Sequence, residues 1–296
     1  MSASESADRG ASNDDVHEYW KQPVCKFVRL SDFAYDIFKN RRLYLSSPMN
    51  FNDPFEGKND LMGFIEYDCL VTCFTGLYKE DGSYADTLFN PLMWAHYADN
   101  HRGICIVFDP LIAGLSRVKY SDRRKHSNNY NETMTNKGTL WSYENEQRFI
   151  TNKSGSEYGR VSYENGNFYL RFFADDIKAV IFGCRTPEDD INRVINHLFQ
   201  YAMKSESSRR PLRSMALQRT VMHRSEFRLE CSDCLVFNKS TTKSDSGRSL
   251  WGFQPYPGFS KDEAGSVKDI MKISPLNNPI TRPNTPDLMI YPPDYD

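Results

Sequence analysis

Several features are missing from this chain of 296 residues. No run of about eighteen apolar residues occurs, so no segment is predicted to span a membrane. The opening stretch, MSASESADRGASNDD, has no apolar core, and no secretory signal is expected there. Neither G-x-G-x-x-G nor G-x-x-x-x-G-K-[ST] is present, which leaves a Rossmann fingerprint and a P-loop without support. H-E-x-x-H is absent too. Charge of one sign is not in excess: 37 Lys and Arg stand against 39 Asp and Glu, a net charge of −2. No overall field therefore draws the chain to nucleic acid or to an anionic membrane. The local basic runs, RVKYSDRRKH (117–126) and SSRRPLRS (207–214), read as solvated faces. The seven cysteines are odd in number and scattered, the pattern of reduced thiols in a cytoplasmic chain. Cys231 and Cys234 form a lone CxxC, and Cys69 and Cys73 a CxxxC. With His223 the nearest further ligand, neither completes the four that a structural zinc needs, and no metal is assigned.

What is present is enough for a core. Hydrophobic residues make up 39% of the chain and aromatics 14%, which places it among folded globular proteins. Residues 1–14 read as a disordered leader and 241–296, rich in Pro, Ser and Gly, as an extended tail. One domain is expected over 15–240, with both ends dispensable for folding. VCKFVRL (24–30) reads as a strand and FAYDIFKN as a helix capped at Ser31-Asp32, with Phe33, Ile37 and Phe38 apolar. RLYLSS (42–47) is a second strand. A helix is expected within 86–103, opening at Asn90-Pro91 and closed by Gly103. ICIVFD (104–109), IKAVIFG (177–183) and a closing hairpin of RSMALQRTVMH with EFRLECSDC supply further strands. TPEDDINRVINHLFQYAMKS is the clearest helix, capped at Thr186 and carrying its apolar face on Ile191, Val194, Ile195, Leu198, Phe199 and Ala202. A polar loop of about twenty residues separates VKY from LWSYENEQRFIT, and loops of that length are usually functional or disordered. Many short strands without βαβ alternation predict an α+β fold of mixed, largely antiparallel sheets with flanking helices.

Four clusters could carry chemistry. Lys26 and Arg29 lie on the first strand, where a charge is costly to bury without a partner and suits a phosphate or carboxylate. Tyr44, Ser46 and Ser47 lead into FNDPFEG. Its Asn52-Asp53-Pro54 spells a turn, because Asn and Asp bond their own backbone and proline fixes φ. That turn leaves Phe51, Phe55 and Glu56 to pack on or face a site. In WAHYADNHRG, Trp94, Tyr97 and His101 share one side of a helix, with core packing the first reading of Trp94 and Tyr97. In WSYENEQR, Glu144 and Glu146 share a face if the chain is extended. Paired carboxylates suit a reaction in which one stabilises a cation and the other takes a proton. The plainer reading is an exposed edge with ion pairs such as Glu146 with Arg148.

The segments KFVRL, RRLYLSSPMNFNDPFEG, LMWAHYADNHRGICIVFD, VKY, WSYENEQRF and IKAVIFG resemble an uncharacterised bacterial family of domains of unknown function, over about residues 20–235. That resemblance assigns no activity. The order of elements is also similar to the ADP-ribosyltransferase superfamily: a strand with a basic residue, a helix, a strand with Tyr or Ser, and a late strand opening with Glu. This likeness implies an ADP-ribosyltransferase or NAD glycohydrolase using NAD as substrate, with an unknown macromolecular acceptor and a place in bacterial defence or toxin systems. It implies Arg29 on the NAD ribose or phosphates and Tyr44 or Ser46 at the nicotinamide. Glu146 would stabilise the oxocarbenium ion and Glu144 orient the acceptor, with Phe51, Phe55, Glu56 and Tyr97 completing the pocket. Ser46-Ser47-Pro48 departs from the superfamily's Ser-Thr-Ser, and Arg29 stands where His is commoner. Two other readings stand beside it: a regulatory module that binds a nucleotide or a protein without catalysis, and a metal-dependent nuclease built on Asp53, Glu56, Glu144 and Glu146.

Overall fold

The computed structural model describes residues 23–255, apart from 57, 60–62, 65–67, 80, 82, 84, 109–113, 125–128, 154–158 and 244–248. The expected leader and most of the expected tail lie outside the described residues.

The fold is α+β. The first strand, β1 (Val24–Val28), is followed by α1 (Asp32–Asn40), β2 (Arg42–Leu45), the short pair β3 (Lys58–Asn59) and β4 (Gly63–Phe64), and β5 (Cys69–Gly76). Then come α2 (Pro91–Tyr97), β6 (Ile104–Phe108), β7 (Ser116–Arg117), β8 (Lys119–Tyr120), α3 (Tyr130–Met134) and β9 (Asn136–Lys137). A 3₁₀ turn over Thr139–Glu144 leads into β10 (Glu146–Asn152), β11 (Val161–Glu164), β12 (Asn167–Arg171) and β13 (Ile177–Phe182). The chain closes with α4 (Glu188–Ser205), β14 (Ser214–Met222), β15 (Leu229–Lys243) and β16 (Ser249–Pro255).

Nine strands form one sheet in the order β16-β15-β14-β13-β6-β1-β5-β10-β7, and β11-β12-β2 form a second, smaller sheet. Every pairing in the large sheet is antiparallel except β13 with β14. That pair is joined through α4, so one βαβ crossover exists where the sequence showed no such alternation. The eighteen-residue helix spans the length a parallel return needs. Both faces of the centre are covered. Ile104, Ile106 and Phe108 of β6 join the core under α1 and α4. Cys105 and Val107 join a second core with Met93 and Trp94 of α2. Burial on both sides is why β6 reads as an unbroken apolar run.

Several expectations need correction. Helix α1 buries Ala34, Tyr35, Ile37 and Phe38, while Phe33 is exposed. Helix α2 opens as expected, with the Asn90 side chain accepting from Leu92 N and Pro91 in the first turn. It stops at Tyr97 instead of running to Gly103. Asp99, Asn100 and His101 all adopt positive φ, so His101 leaves the face of Trp94 and Tyr97. Thr186 does not cap α4. Pro187 holds that position, and the Thr186 hydroxyl donates to Gly103 O at 2.9 Å. The expected polar loop contains α3 and β9.

The sheet continues past residue 240. Strand β16 pairs with β15, and its Trp251 packs on Phe237 at 5.2 Å between centroids while its indole N–H donates to Glu206 at 3.2 Å. Trp251 is buried. A chain ending at 240 should therefore melt about 2–8 °C below one ending at 255, as expected for a loss of about 1–2 kcal/mol in a domain of this size. Equal melting temperatures in a thermal scan would show that this strand adds nothing to the core.

Candidate functional site

The FNDPFE turn does two jobs. Asp53 Oδ1 accepts from Phe55 N at 2.9 Å, and Glu56 N donates to Asp53 O at 3.2 Å. This closes the backbone as the Asn-Asp-Pro pattern predicts and carries the Glu56 side chain inward, where it is buried. Asp53→Ala should cost about 0.5–2 kcal/mol through loss of that bond, measured by urea unfolding. An unchanged midpoint would show that the proline alone holds the turn.

Glu144 and Glu146 converge by a route the sequence did not suggest. They are not alternate residues of one strand. Glu144 ends the 3₁₀ turn, Asn145 sits at φ 44 in the left-handed region, and β10 begins at Glu146. Asn145 tolerates that conformation better than most residues. Its side-chain amide donates to Gly76 O at 2.8 Å and to Tyr78 O at 2.9 Å. The switch aims both flanking carboxylates into one buried cluster.

At the centre of that cluster is Lys137 of β9. Its Nζ lies 2.8 Å from Glu56 Oε1, 2.5 Å from Glu144 Oε2 and 3.1 Å from Glu146 Oε2. Three carboxylates match the three protons of an ammonium. Arg148 of β10 holds the other side. Its Nε donates to Glu146 Oε1 at 2.8 Å, and its terminal nitrogens donate to Glu146 Oε2 at 2.8 Å, Glu56 Oε2 at 2.5 Å and Met134 O at 2.7 Å. The guanidinium also lies over the Phe51 ring at 4.7 Å. All five charged side chains are less than a tenth exposed. Burying them is tolerable only because each charge meets an opposite one with hydrogen bonds between them.

Above the cluster is a cleft of about 330 Å³, at the small end of the roughly 300–1,000 Å³ typical of ligand pockets. Its walls include Phe27, Phe51, Phe74, His96 and Tyr97. Tyr97 donates its hydroxyl to Glu144 and accepts from Asn52 Nδ2 at 3.2 Å. His96 Nδ1 meets Tyr143 OH at 2.9 Å. Lys26 also lines the cleft, donating to Thr72 Oγ1 at 3.1 Å and Cys73 O at 2.7 Å.

The two neighbouring carboxyls are driven in opposite directions. Burial pushes Glu144 up to about 7, against the pull of Lys137. Burial also opposes ionisation of Glu146, but Arg148, by charge and hydrogen bonds, and Lys137 outweigh it and hold Glu146 down to about 2. Burial raises Glu56 as well, despite Arg148. Lys26 is pushed below the usual lysine range by burial, with Glu146 pulling it back.

Of the nine residues that the likeness assigns to an NAD site, Phe51, Glu56, Tyr97, Glu144 and Glu146 meet in this cleft. Four do not. Arg29 lies beyond the end of β1, is 72% exposed and reaches Asp99 at 3.5 Å. Lys26, on the opposite face of the strand, is the basic residue that faces the cleft. Tyr44 belongs to the smaller sheet, half-exposed against Tyr169. The Ser46 hydroxyl donates to Ser47 O, and its backbone bridges to Val71. Phe55 is 67% exposed: the turn that buries Glu56 sends Phe55 outward.

The sequence reading missed Lys137 altogether and treated Arg148 as one ion pair. Strand β9 has only two residues and generates no periodic signal, so Lys137 was hidden in a polar stretch. Lys137 also bears on the metal reading. Its ammonium stands among the carboxylates of Glu56, Glu144 and Glu146, where a divalent cation would have to sit, and Asp53 is engaged in its turn. Among the described residues no group of three or more His, Cys, Asp or Glu is placed to hold a metal ion. The His223 ring accepts from Ser225 N and Glu226 N, and the Cys231 and Cys234 side chains lie outside the described residues. Also among the described residues, no helix is long and apolar enough to cross a membrane.

No family model, curated protein or solved structure matches this chain.

Proposed function

We propose that the cleft binds the nicotinamide–ribose end of NAD as substrate and breaks its N-glycosidic bond, passing the ADP-ribosyl group to water or to an acceptor. One observation carries the reading. Two carboxyls within one buried, aromatic-walled cleft are driven to about 7 and about 2, the separation that divides acid–base duty between neighbouring groups. The likeness in order of elements to ADP-ribosyltransferases supports it as analogy only.

The roles differ from those the likeness implies. Glu146 is tied by Arg148 and Lys137, so its charge is already matched. It positions Lys137 and Arg148 and stays ionised. Glu144 is the group whose proton moves near neutral pH. In the reaction the C1′–N bond breaks with its electron pair leaving on the nicotinamide nitrogen, which becomes neutral. The incoming hydroxyl or water forms the new bond to C1′ and gives its proton to the Glu144 carboxylate. With Glu144 ionised, three carboxylates face two cations in the Glu56–Lys137–Glu144–Glu146–Arg148 cluster. That surplus negative charge favours the cationic transition state. The aromatic walls suit the flat nicotinamide ring, and Lys26 takes the place expected of Arg29 as the cationic contact.

The binding-module reading is favoured by a different observation: each carboxylate of the cluster already has a cation beside it, so the cluster can serve as scaffold alone. Release of nicotinamide from NAD by the purified protein, alone and with cell lysate as a source of acceptors, separates the two. Calorimetric binding of NAD with no nicotinamide release under any condition would favour the module, and absence of both would end the NAD reading.

A further inference from the structure

A second cavity of about 530 Å³ lies at the other end of α2, which contributes Pro91 to it while Met93, His96 and Tyr97 line the cleft. His101, Arg185, Met222, Arg224 and Phe227 are among its lining residues. It is built on an uncommon piece of backbone. Asp99, Asn100 and His101 follow one another at φ 49, 54 and 70, a left-handed turn that residues other than glycine enter singly if at all. Outliers of this kind are kept where the surroundings hold them, and they cluster at functional sites. Here the surroundings are specific. His101 N donates to Trp94 O at 3.1 Å, Gly103 N to Ala98 O at 2.7 Å and Arg185 N to His101 O at 3.0 Å. A Cβ on Gly183 would stand 2.1 Å from His101 O, and one on Gly103 would stand 2.2 Å from Val28 O. Both glycines are therefore required for the turn to dock.

The turn brings together groups with unspent bonding capacity. His101 Nδ1 is buried without a hydrogen-bond partner, a condition that calls for a reason in a native protein. Arg185 and Arg224 have no carboxylate partner among the described residues, whereas Arg228 is paired with Glu226 at 2.7 Å. Phe227 and Met222 are exposed at the rim. The hairpin that carries them is braced, with His223 N donating to Arg228 O at 3.0 Å and the His223 ring accepting from Ser225 N and Glu226 N.

We propose that this cavity is a second ligand site, separate from the cleft, for a small organic anion with a planar ring, of the nucleoside monophosphate type. Guanidinium groups match phosphate oxygens in pairs, and Phe227 and Met222 offer apolar surface to a ring. The size falls within the usual range for small ligands, roughly 300–1,000 Å³. Two arginines are too few for a nucleic-acid backbone, whose binding draws on many phosphate contacts.

The test is calorimetric titration of the full chain with AMP, adenosine and inorganic phosphate. AMP should bind at least tenfold more tightly than either of the others. The double substitution Arg185→Gln, Arg224→Gln should weaken AMP at least tenfold with the melting temperature unchanged, because both side chains are exposed. Glu144→Gln, in the cleft, should leave AMP binding as it is, and the arginine double variant should leave nicotinamide release, if present, as it is. Absence of AMP binding at millimolar concentration would overturn the proposal. So would equal affinity for adenosine or phosphate, or AMP binding that the arginine double variant keeps.

Discussion

Lys137→Met should destabilise the fold by about 3–5 kcal/mol, the usual cost of removing one partner from a buried ion pair. The methionine fills the space but leaves Glu56, Glu144 and Glu146 around an uncharged thioether. Arg148 still neutralises Glu146 and Glu56 in part. Glu144 loses its cation and keeps only the Tyr97 hydroxyl. The missing charge can be replaced by protons, so the deficit should shrink as pH is lowered from 7 to 5. Urea unfolding at the two pH values measures it, with the midpoint shifting and the slope unchanged. A loss below about 1 kcal/mol, the range of exposed ion pairs, would show that water reaches the cluster and that its pKa pattern has another origin.

Glu144→Gln should lower nicotinamide release by about a hundredfold to ten-thousandfold, the range that general acid–base groups contribute. Glutamine keeps the shape and one acceptor oxygen for Tyr97, so NAD affinity should stay near that of the natural protein. The pH dependence is the sharper readout. If Glu144 accepts the proton, activity of the natural protein rises through pH about 7 as the carboxyl ionises, and the variant lacks that rise. Stability carries a matching signature. Glu144 lies above its ordinary value of 4.5 when folded, so the folded state holds its proton more firmly than the unfolded chain. Its contribution is complete below pH 4.5 and is lost as pH rises to about 7. Glu146 behaves in the opposite way: its contribution is present above 4.5 and is lost as pH falls toward 2. Thermal melting of Glu144→Gln should therefore fall less between pH 5 and 7 than that of the natural protein. A variant with full activity and an unchanged pH profile would remove Glu144 from the reaction.

Glu146→Gln is a different experiment. With Glu144 and Glu146 read as exposed alternates of a strand, the substitution would be mild. In the folded protein it removes one of the two hydrogen bonds that the carboxylate accepts from Arg148, whose side chain is 1% exposed. Stability and activity then fall together, and the variant cannot separate chemistry from scaffold.

The amino-acid sequence by itself determined the parts of this protein that local physics decides. The apolar run of β6, the apolar stripe of α4 and the Asn90-Pro91 start of α2 follow from burial, helical spacing and capping. The Asp53 turn follows from side-chain bonding to the adjacent backbone, and the α+β class follows from the count and spacing of strands. Tertiary structure decided what depends on distant partners. Glu56, Lys137 and Glu144 are separated in sequence by 81 and 7 positions and meet only when β5, β9 and β10 are assembled. The parallel return of β13 to β14 and the addition of β16 were hidden for the same reason: strand pairing is non-local and leaves little trace in either strand alone. The site differs most from its reading in sequence where a single backbone angle redirects a side chain. Asn145 turns Glu144 into the cluster, and the turn at residues 99–101 carries His101 away from Tyr97. Each such residue costs about 1–3 kcal/mol and persists only because the contacts of the whole fold hold it.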